Sequence, residues 1–165
     1  MDAERLLAHL EAALGPFDEK RSVSETALRE REGVAFGIVA LGDACLATFG
    51  ISRHAPIAQE LVVDSSDEVF SVTVLIMMGR HVLEQHRALA AGERHRLPGY
   101  GDGSLVEGVL AVPDPDVDSL DELGFVRLVP ITAAEAAYAG EHGWEALLER
   151  LEGRNVADLC RESAV

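Results

Sequence analysis

Five short runs of apolar residues occur along this chain, and each has the length of a β-strand. Gly42 and Asp43 join the first two runs, and such a pair is typical of a hairpin turn. We therefore expect these two runs to form a hairpin of largely buried strands, with three further strands after it. The runs cover residues 34–41, 44–49, 57–63, 105–112 and 125–131.

A segment with helical spacing precedes these runs. It covers residues 3–14, with Asp2 as a candidate N-cap and Gly15 followed by Pro16 as a stop signal. Its leucines share one helical face, which predicts an amphipathic helix. These leucines are Leu6, Leu7, Leu10 and Leu14. The charged residues that follow, up to residue 33, are expected to form a connection.

The middle segment, residues 69–83, allows two interpretations. Its apolar residues recur close to the helical period, and the sequence DSSD at 64–67 offers N-caps, so its length favours a helix. The many β-branched residues of 69–76 are typical of a strand, which remains the alternative. The apolar residues at helical spacing are Val72, Leu75, Ile76, Val82 and Leu83.

The end of the chain predicts a helical tail. Thr132 and Glu135 have the spacing of a capping box, and an apolar stripe ends before Gly153. The order helix, sheet, helix, sheet, helix predicts an α+β fold in one domain over residues 1–165, with a mixed β-sheet covered by helices. A Gly- and Pro-rich loop at 98–103 separates the two halves. The stripe consists of Trp144, Leu147, Leu148 and Leu151.

The chain is strongly acidic, with 29 Asp and Glu against 14 Lys and Arg and a net charge of −15. Such a surface repels phosphate backbones and anionic lipids, so we expect neither nucleic acid nor membrane as a partner. The N-terminus lacks the features of a secretory signal, and the apolar stretch 69–79 is too short to span a bilayer. A cytoplasmic location is expected. Cys45 and Cys160 lack ligand spacing and are interpreted as buried thiols.

Residues 80–96 form a basic island in this acidic chain. It is either a solvated helix face and loop, or a contact region for an acidic group on a partner. Its arginines are Arg80, Arg87, Arg94 and Arg96, against Glu84 and Glu93. The same region contains His81, His86 and His95, whose spacings of five and nine do not share one helical face. We therefore predict no metal site.

Other candidate sites lack required parts. The glycines of 98–103 match neither a phosphate-binding loop nor a dinucleotide fingerprint, and the aspartates of 114–118 lack the glycine and glutamate of a calcium loop. Ser52 and His54 have no third member of a triad. We predict no catalytic residue and no cofactor. A small hydrolase using His54, or a metal-dependent one using His81, His86 or His95, is the alternative from a different class.

Two motifs resemble the suppressor-of-fused-like family. Thr48-Phe49-Gly50-Ile51-Ser52, followed by Gln59-Glu60-Leu61-Val62, is similar to the family's threonine-x-glycine-x-serine and glutamate-leucine core. The stretch 124–132, the helix at 145–151 and the ending 161–165 are similar to its final strand, closing helix and tail. The resemblance covers residues 34–165, and it leaves residues 1–33 as an N-terminal helix and connection.

The resemblance implies a protein-binding module without catalytic residues and with the N-terminal domain fold of that family. Animal members sequester transcription factors, with the ligand as an added strand between two domains, whereas we expect one such domain in this chain. Similar single bacterial domains occur beside polymorphic toxins as immunity proteins. Arg80, His81, Gly92 and Glu93 align with a family arginine, tyrosine, glycine and aspartate. The tyrosine and aspartate face the bound peptide, which implies a binding role for His81 and Glu93.

These observations predict a non-enzymatic, immunity-type protein that neutralises a toxin encoded nearby by stoichiometric binding. An intracellular adaptor for a cellular protein remains the alternative, and the sequence leaves self-association open. The predicted partner-binding residues are Arg80, His81, Glu93, Arg94, Arg96 and Tyr100.

Overall fold

A mixed β-sheet forms the centre of the molecule. The computed structural model describes residues 2–97, 105–160 and 162–165, and over these residues it has seven strands in the order β1-β2-β3-β4-β7-β6-β5. β4 and β7 pair in parallel, and the other neighbours pair antiparallel. The strands are β1 (Phe17–Val23), β2 (Gly37–Leu41), β3 (Cys45–Phe49), β4 (Gln59–Asp64), β5 (Arg94–Arg96), β6 (Val106–Pro113) and β7 (Gly124–Thr132).

Helices cover both faces of the sheet. Successive side chains of a strand point to opposite faces, and the buried residues of β7 alternate accordingly. Leu128 packs in the core beneath α2 and α3, whereas Phe125 and Val129 pack on the face that carries α1, α4 and α5. The helices are α1 (Ala3–Leu14), α2 (Glu25–Glu32), α3 (Glu68–Gln85), α4 (Ala133–His142) and α5 (Trp144–Leu151), with a 3₁₀ turn at Ile51–Arg53.

The predicted α+β class with a mixed sheet covered by helices is confirmed. α1 begins after Asp2, whose side chain accepts a hydrogen bond from the Glu4 amide, and β2 and β3 form the expected hairpin. The middle segment is the helix α3 and not a strand. It begins after Asp67, which caps the Phe70 amide, and it buries one side against the sheet, so packing outweighs the β-branched residues.

Three regions differ from the prediction. The connection before residue 33 contains β1 and α2, and β5 lies where a helix end and loop were expected. The tail is two helices, because Gly143 has a φ of 92° and separates α4 from α5. The prediction of a buried thiol is wrong for Cys160, which is exposed, and holds for Cys45. Among the described residues, no helix is long and apolar enough to cross a membrane.

Two glycines allow close approaches that position the site described below. Gly79 on α3 lies under the Phe36 ring, where an added Cβ would come within 2.4 Å of a ring carbon. Gly92 has a φ of 82°, and an added Cβ would lie 2.3 Å from the Trp144 ring. α3 and the turn before β5 can therefore pack against their neighbours without a side chain between them.

Candidate functional site

Glu60 on β4 is the fully buried centre of a polar cluster. Its side chain is 0% exposed, and its carboxylate accepts five hydrogen bonds. Two are donated by the hydroxyls of Thr48 at 2.7 Å and Ser52 at 2.6 Å. The other three come from the backbone amides of Gly50, Ile51 and Ser52 in the 3₁₀ turn. The threonine-x-glycine-x-serine motif thus wraps around the glutamate that follows it in sequence.

This arrangement gives the motif a structural role. Thr48 Oγ1 also accepts a hydrogen bond from the Leu61 amide at 2.8 Å, so the hydroxyl links β3 to β4. Burial raises the pKa of Glu60, and the hydrogen bonds from Ser52 and Thr48 offset part of that effect. With its donors arranged around one carboxylate, the cluster holds the turn after β3 in place, and the carboxylate itself is not exposed.

The alternative hydrolase pair is not assembled around Ser52. Its hydroxyl donates to Glu60, and the ring of His54 is placed elsewhere, with Nε2 2.9 Å from the Ala35 carbonyl oxygen. A nucleophile needs its general base within hydrogen-bond reach. Ser52 and His54 therefore do not form a nucleophile–base pair in this structure.

A second cluster lies where the C-terminal end of α3 meets the edge of the sheet. Three side chains meet there: His81 on α3, Glu93 in the turn and His95 on β5. One imidazole nitrogen of each histidine and one carboxylate oxygen of Glu93 lie within 4.8 Å of one another. The two rings meet edge to face with centroids 4.8 Å apart. His86 caps the same helix, is exposed, and is not part of this cluster. The structure thus brings His81 and His95 into contact, although their spacing in the sequence does not place them on one helical face.

Glu93 is held by its own turn. Its carboxylate accepts two hydrogen bonds from Arg87, at 2.7 and 2.8 Å, and one from the Ala90 amide at 3.0 Å. The bonds from Arg87 lower the pKa of Glu93 to about 2, against the opposing effect of desolvation. Burial lowers the pKa of His95, and the charge of Glu93 partly opposes it. Glu93 is therefore an anchored anion and not a free surface group.

The residues of β5 lie on two faces of the sheet edge. His95 pairs with Val109, which packs beneath α3, whereas Arg94 pairs with Leu110, which packs against α4 and α5. Arg94 accordingly donates to the Ala136 carbonyl on α4. Successive strand residues alternate between faces, so Arg94 and Arg96 lie on the α4 side.

The arginines of the basic island differ in how free they are. Arg80 donates to the Glu32 carbonyl at 2.7 Å, which ties α3 to α2. The side chain of Arg96 is 86% exposed, and its contact with Glu107 is long, at 3.9 Å. Tyr100 lies outside the described residues. Arg96 is therefore the island arginine best placed to contact a partner.

A groove runs beside β5 on the α4 side and has a volume of about 420 Å³. Sequence analysis missed this groove because it depends on the pairing of β5 with β6. A second groove, of about 590 Å³, lies between α5 and the sheet beside Trp144 and Leu148. The first groove is lined by Arg94, His95, Arg96, Glu107, Gly108, Ile131, Thr132, Ala133 and Ala136.

Comparison with protein families gives one match over most of the chain. The profile of the family described as suppressor of fused protein (SUFU) matches residues 45–162. No match was found among curated protein sequences. The motif around Glu60 and the closing strand and helices all lie within the matched range.

Solved structures share the fold at low sequence identity. A structure described as a SUFU homologue from Neisseria gonorrhoeae FA 1090 has a TM-score of 0.78 at 20% identity, covering 99% of this chain and 96% of that one. A chain of the Sufu–Fu complex has a TM-score of 0.70 at 12% identity, covering 98% and 91%. Drosophila Suppressor of Fused gives 0.58 at 14%, covering 78% of this chain and 39% of that chain.

Proposed function

This chain belongs to the suppressor of fused family, and on that premise we propose that it is a non-enzymatic module that binds another protein at the β5 edge of its sheet. The observation that carries the proposal is the sheet order. β5 is the last strand, and among the described residues it pairs on one side only, with β6. An exposed strand edge offers unpaired backbone donors and acceptors to an extended partner segment.

The side chains around this edge suit a partner with acidic groups. Arg94 and Arg96 flank the groove beside α4, and Arg96 is nearly free of internal contacts. Because the rest of the chain is acidic, with a net charge of −15, this edge is a local exception that can orient a partner. The name of one structural relative, the Sufu–Fu complex, records a protein partner for that relative.

The finer part of the proposal is an immunity-type role in the cytoplasm, in which the chain occludes a toxin domain encoded nearby. Stoichiometric occlusion needs a preformed surface of roughly 800 Å² and no reactive group. The support for this step is the resemblance of the chain to the bacterial domains of the family that occur beside polymorphic toxins. An adaptor for a cellular regulator would use the same edge.

A binding experiment with matched charge reversals tests the edge. The chain is titrated calorimetrically with the variable C-terminal domain of a toxin encoded beside it. We expect Arg96→Glu to weaken binding at least tenfold, which corresponds to about 1.4 kcal/mol. Arg31→Glu is the control, since Arg31 is an exposed arginine on α2, away from β5. Equal affinities of the two folded variants would contradict the β5 assignment.

Co-expression separates immunity from an adaptor role. If the chain is an immunity protein, wild type and Arg31→Glu restore growth of cells that express the toxin domain, and Arg96→Glu restores it less well. A cellular partner recovered through the β5 edge, without growth rescue, would favour the adaptor instead. Neither rescue nor any complex would count against the immunity role.

A further inference from the structure

The cluster at the end of α3 has the composition of a metal site. We infer that His81, Glu93 and His95 bind a divalent transition-metal ion of the Zn²⁺ class, through the Nε2 atoms of the two imidazoles and one oxygen of the carboxylate. Two imidazoles and a carboxylate are a donor set that Zn²⁺ and Co²⁺ accept, with a fourth position left for water or another ligand. The expectation of no metal site considered one helix alone, whereas these ligands come from α3, a turn and β5.

The Nε2 atoms of His81 and His95 are buried polar groups that need a partner. In the described part of the chain, Nε2 of His81 and Nε2 of His95 are inaccessible to solvent and have no hydrogen bond. His95 Nε2 lies 3.1 Å from Glu93 Oε1, but without the geometry of a hydrogen bond. A buried nitrogen left unsatisfied costs about 1–3 kcal/mol. A cation between the two rings and the carboxylate would satisfy both nitrogens at once.

The lone pairs of Glu93 also leave room for a metal ion. A carboxylate has about four acceptor positions. Arg87 occupies one on each oxygen, and the Ala90 amide occupies the second position of Oε2. The position that remains is on Oε1, the oxygen nearest to His95. Arg87 and Ala90 would then act as the outer partners that orient a ligating carboxylate.

The distances require only a small closure of the cluster. Bonds of about 2.0–2.2 Å in a tetrahedral site put ligand atoms roughly 3.3 Å apart. Oε1 of Glu93 and Nε2 of His95 are already 3.1 Å apart, and one ring nitrogen of each histidine and a Glu93 oxygen lie within 4.8 Å of one another. Rotation of the His81 ring on its helix can supply the difference.

Direct titration tests this inference on the full chain, purified without a histidine tag and freed of metal with a chelator. Co²⁺ is the spectroscopic probe and Zn²⁺ the competitor. We expect one equivalent of Co²⁺ to bind, with the intense visible absorption of a four- or five-coordinate ion, and Zn²⁺ to displace it. No saturable binding, or only the weak absorption of six-coordinate Co²⁺, would overturn the inference.

Variants locate the site. His81→Ala and His95→Ala should each weaken Co²⁺ binding at least tenfold, and Glu93→Gln should weaken it less. His142→Ala is the matched control, since His142 is an exposed histidine on α4. Wild-type affinity in both folded His81 and His95 variants would refute the assignment.

A measurement on the wild type covers the case of variants that fail to fold. Of the six histidines, paramagnetic Co²⁺ should broaden or shift the ring signals of His81 and His95 most strongly. Strongest effects on the other four histidines would place the ion elsewhere and overturn the inference. None of these tests needs a protein partner, so their failure leaves the proposed function intact.

Discussion

Glu60 and Glu93 have the same side chain but different environments and different roles in this molecule. Glu60 is fully buried and accepts five hydrogen bonds, all from residues 48–52. Glu93 lies at the sheet edge, is anchored by Arg87, and stands beside two imidazole nitrogens that have no hydrogen bond within the described part of the chain. Glu60 belongs to one of the motifs that carry the family resemblance, yet its side chain is fully buried. Residues that support a fold can thus carry the clearest sequence signal, while the groups free to bind lie elsewhere.

The largest expected effect is the loss of stability when the Glu60 cluster is broken. Glu60→Ala leaves the buried amides of residues 50–52 without an acceptor, and each unsatisfied group costs about 1–3 kcal/mol. We expect the free energy of unfolding to fall by about 4 kcal/mol or more, a change that only buried networks or cores produce. Urea denaturation at neutral pH measures it. Glu122→Ala, at an exposed glutamate, is the control and should change stability by no more than about 0.5 kcal/mol.

A smaller effect is expected at the turn that presents Glu93. Gly92→Ala combines a left-handed backbone with a Cβ that would lie 2.3 Å from the Trp144 ring. We expect a loss of about 2–4 kcal/mol in urea denaturation, because the steric overlap adds to the backbone cost of about 1–2 kcal/mol. Gly33→Ala is the matched control, since Gly33 has a φ of 69° and open space around it. Similar losses for both variants would show that the Trp144 contact is unimportant.

The pH dependence of stability should identify Glu60 as a buried carboxyl. Its pKa is raised by burial, so the folded protein holds this proton more tightly than the unfolded chain does. The stabilising contribution is complete below the ordinary pKa of about 4.5, and it is lost as the pH rises from there through the raised pKa of the folded state. Glu60→Gln, which does not ionise, should remove this decline when both proteins are unfolded with urea across pH 4–8. Parallel curves would contradict the raised pKa.

The smallest expected effect concerns the ion pair at the sheet edge. Arg87→Met removes both hydrogen bonds from Arg87 to Glu93, yet exposed ion pairs stabilise proteins by only about 0–1 kcal/mol. We expect a loss within that range, compared by urea denaturation with Arg31→Met, which should have no effect. A loss as large as that of Glu60→Ala would mean that this edge is also part of the structural framework.

Local patterns account for the parts of the fold that sequence analysis predicted. The Asp2 cap, the hairpin through Gly42 and the capping box of Thr132 and Glu135 depend on residues a few positions apart. β1 was missed because its sequence, FDEKRSV, is mostly charged. It is held at the sheet edge by backbone pairing and by the Ser22 hydroxyl, which accepts from the Ala40 amide. A strand held in this way need not show the alternation of apolar and polar residues by which strands are predicted.

The candidate site was predictable in part. The basic island and the family alignment pointed to residues 80–96, where the structure places the cluster of His81, Glu93 and His95, but not to its arrangement. The contact of His81 with His95 depends on the packing of α3 against the sheet and on a three-residue strand, β5, that lacks a hydrophobic pattern. The sequence signal for this arrangement was Gly92, which lies in the turn between α3 and the charged strand β5. A glycine in that turn indicates that the chain reverses there and returns to α3.

The most direct test of the contrast between a closed structural cluster and a binding edge is a map of the bound surface. The ¹⁵N-labelled chain is titrated with the toxin domain encoded beside it, and the backbone amide shifts are followed by NMR. We predict that the largest changes fall on Arg94–Arg96 and on residues 133–136 across the groove, while the amides of residues 50–52 that bind Glu60 stay nearly unchanged. The largest changes at residues 48–52, or on the face of α1, would contradict this.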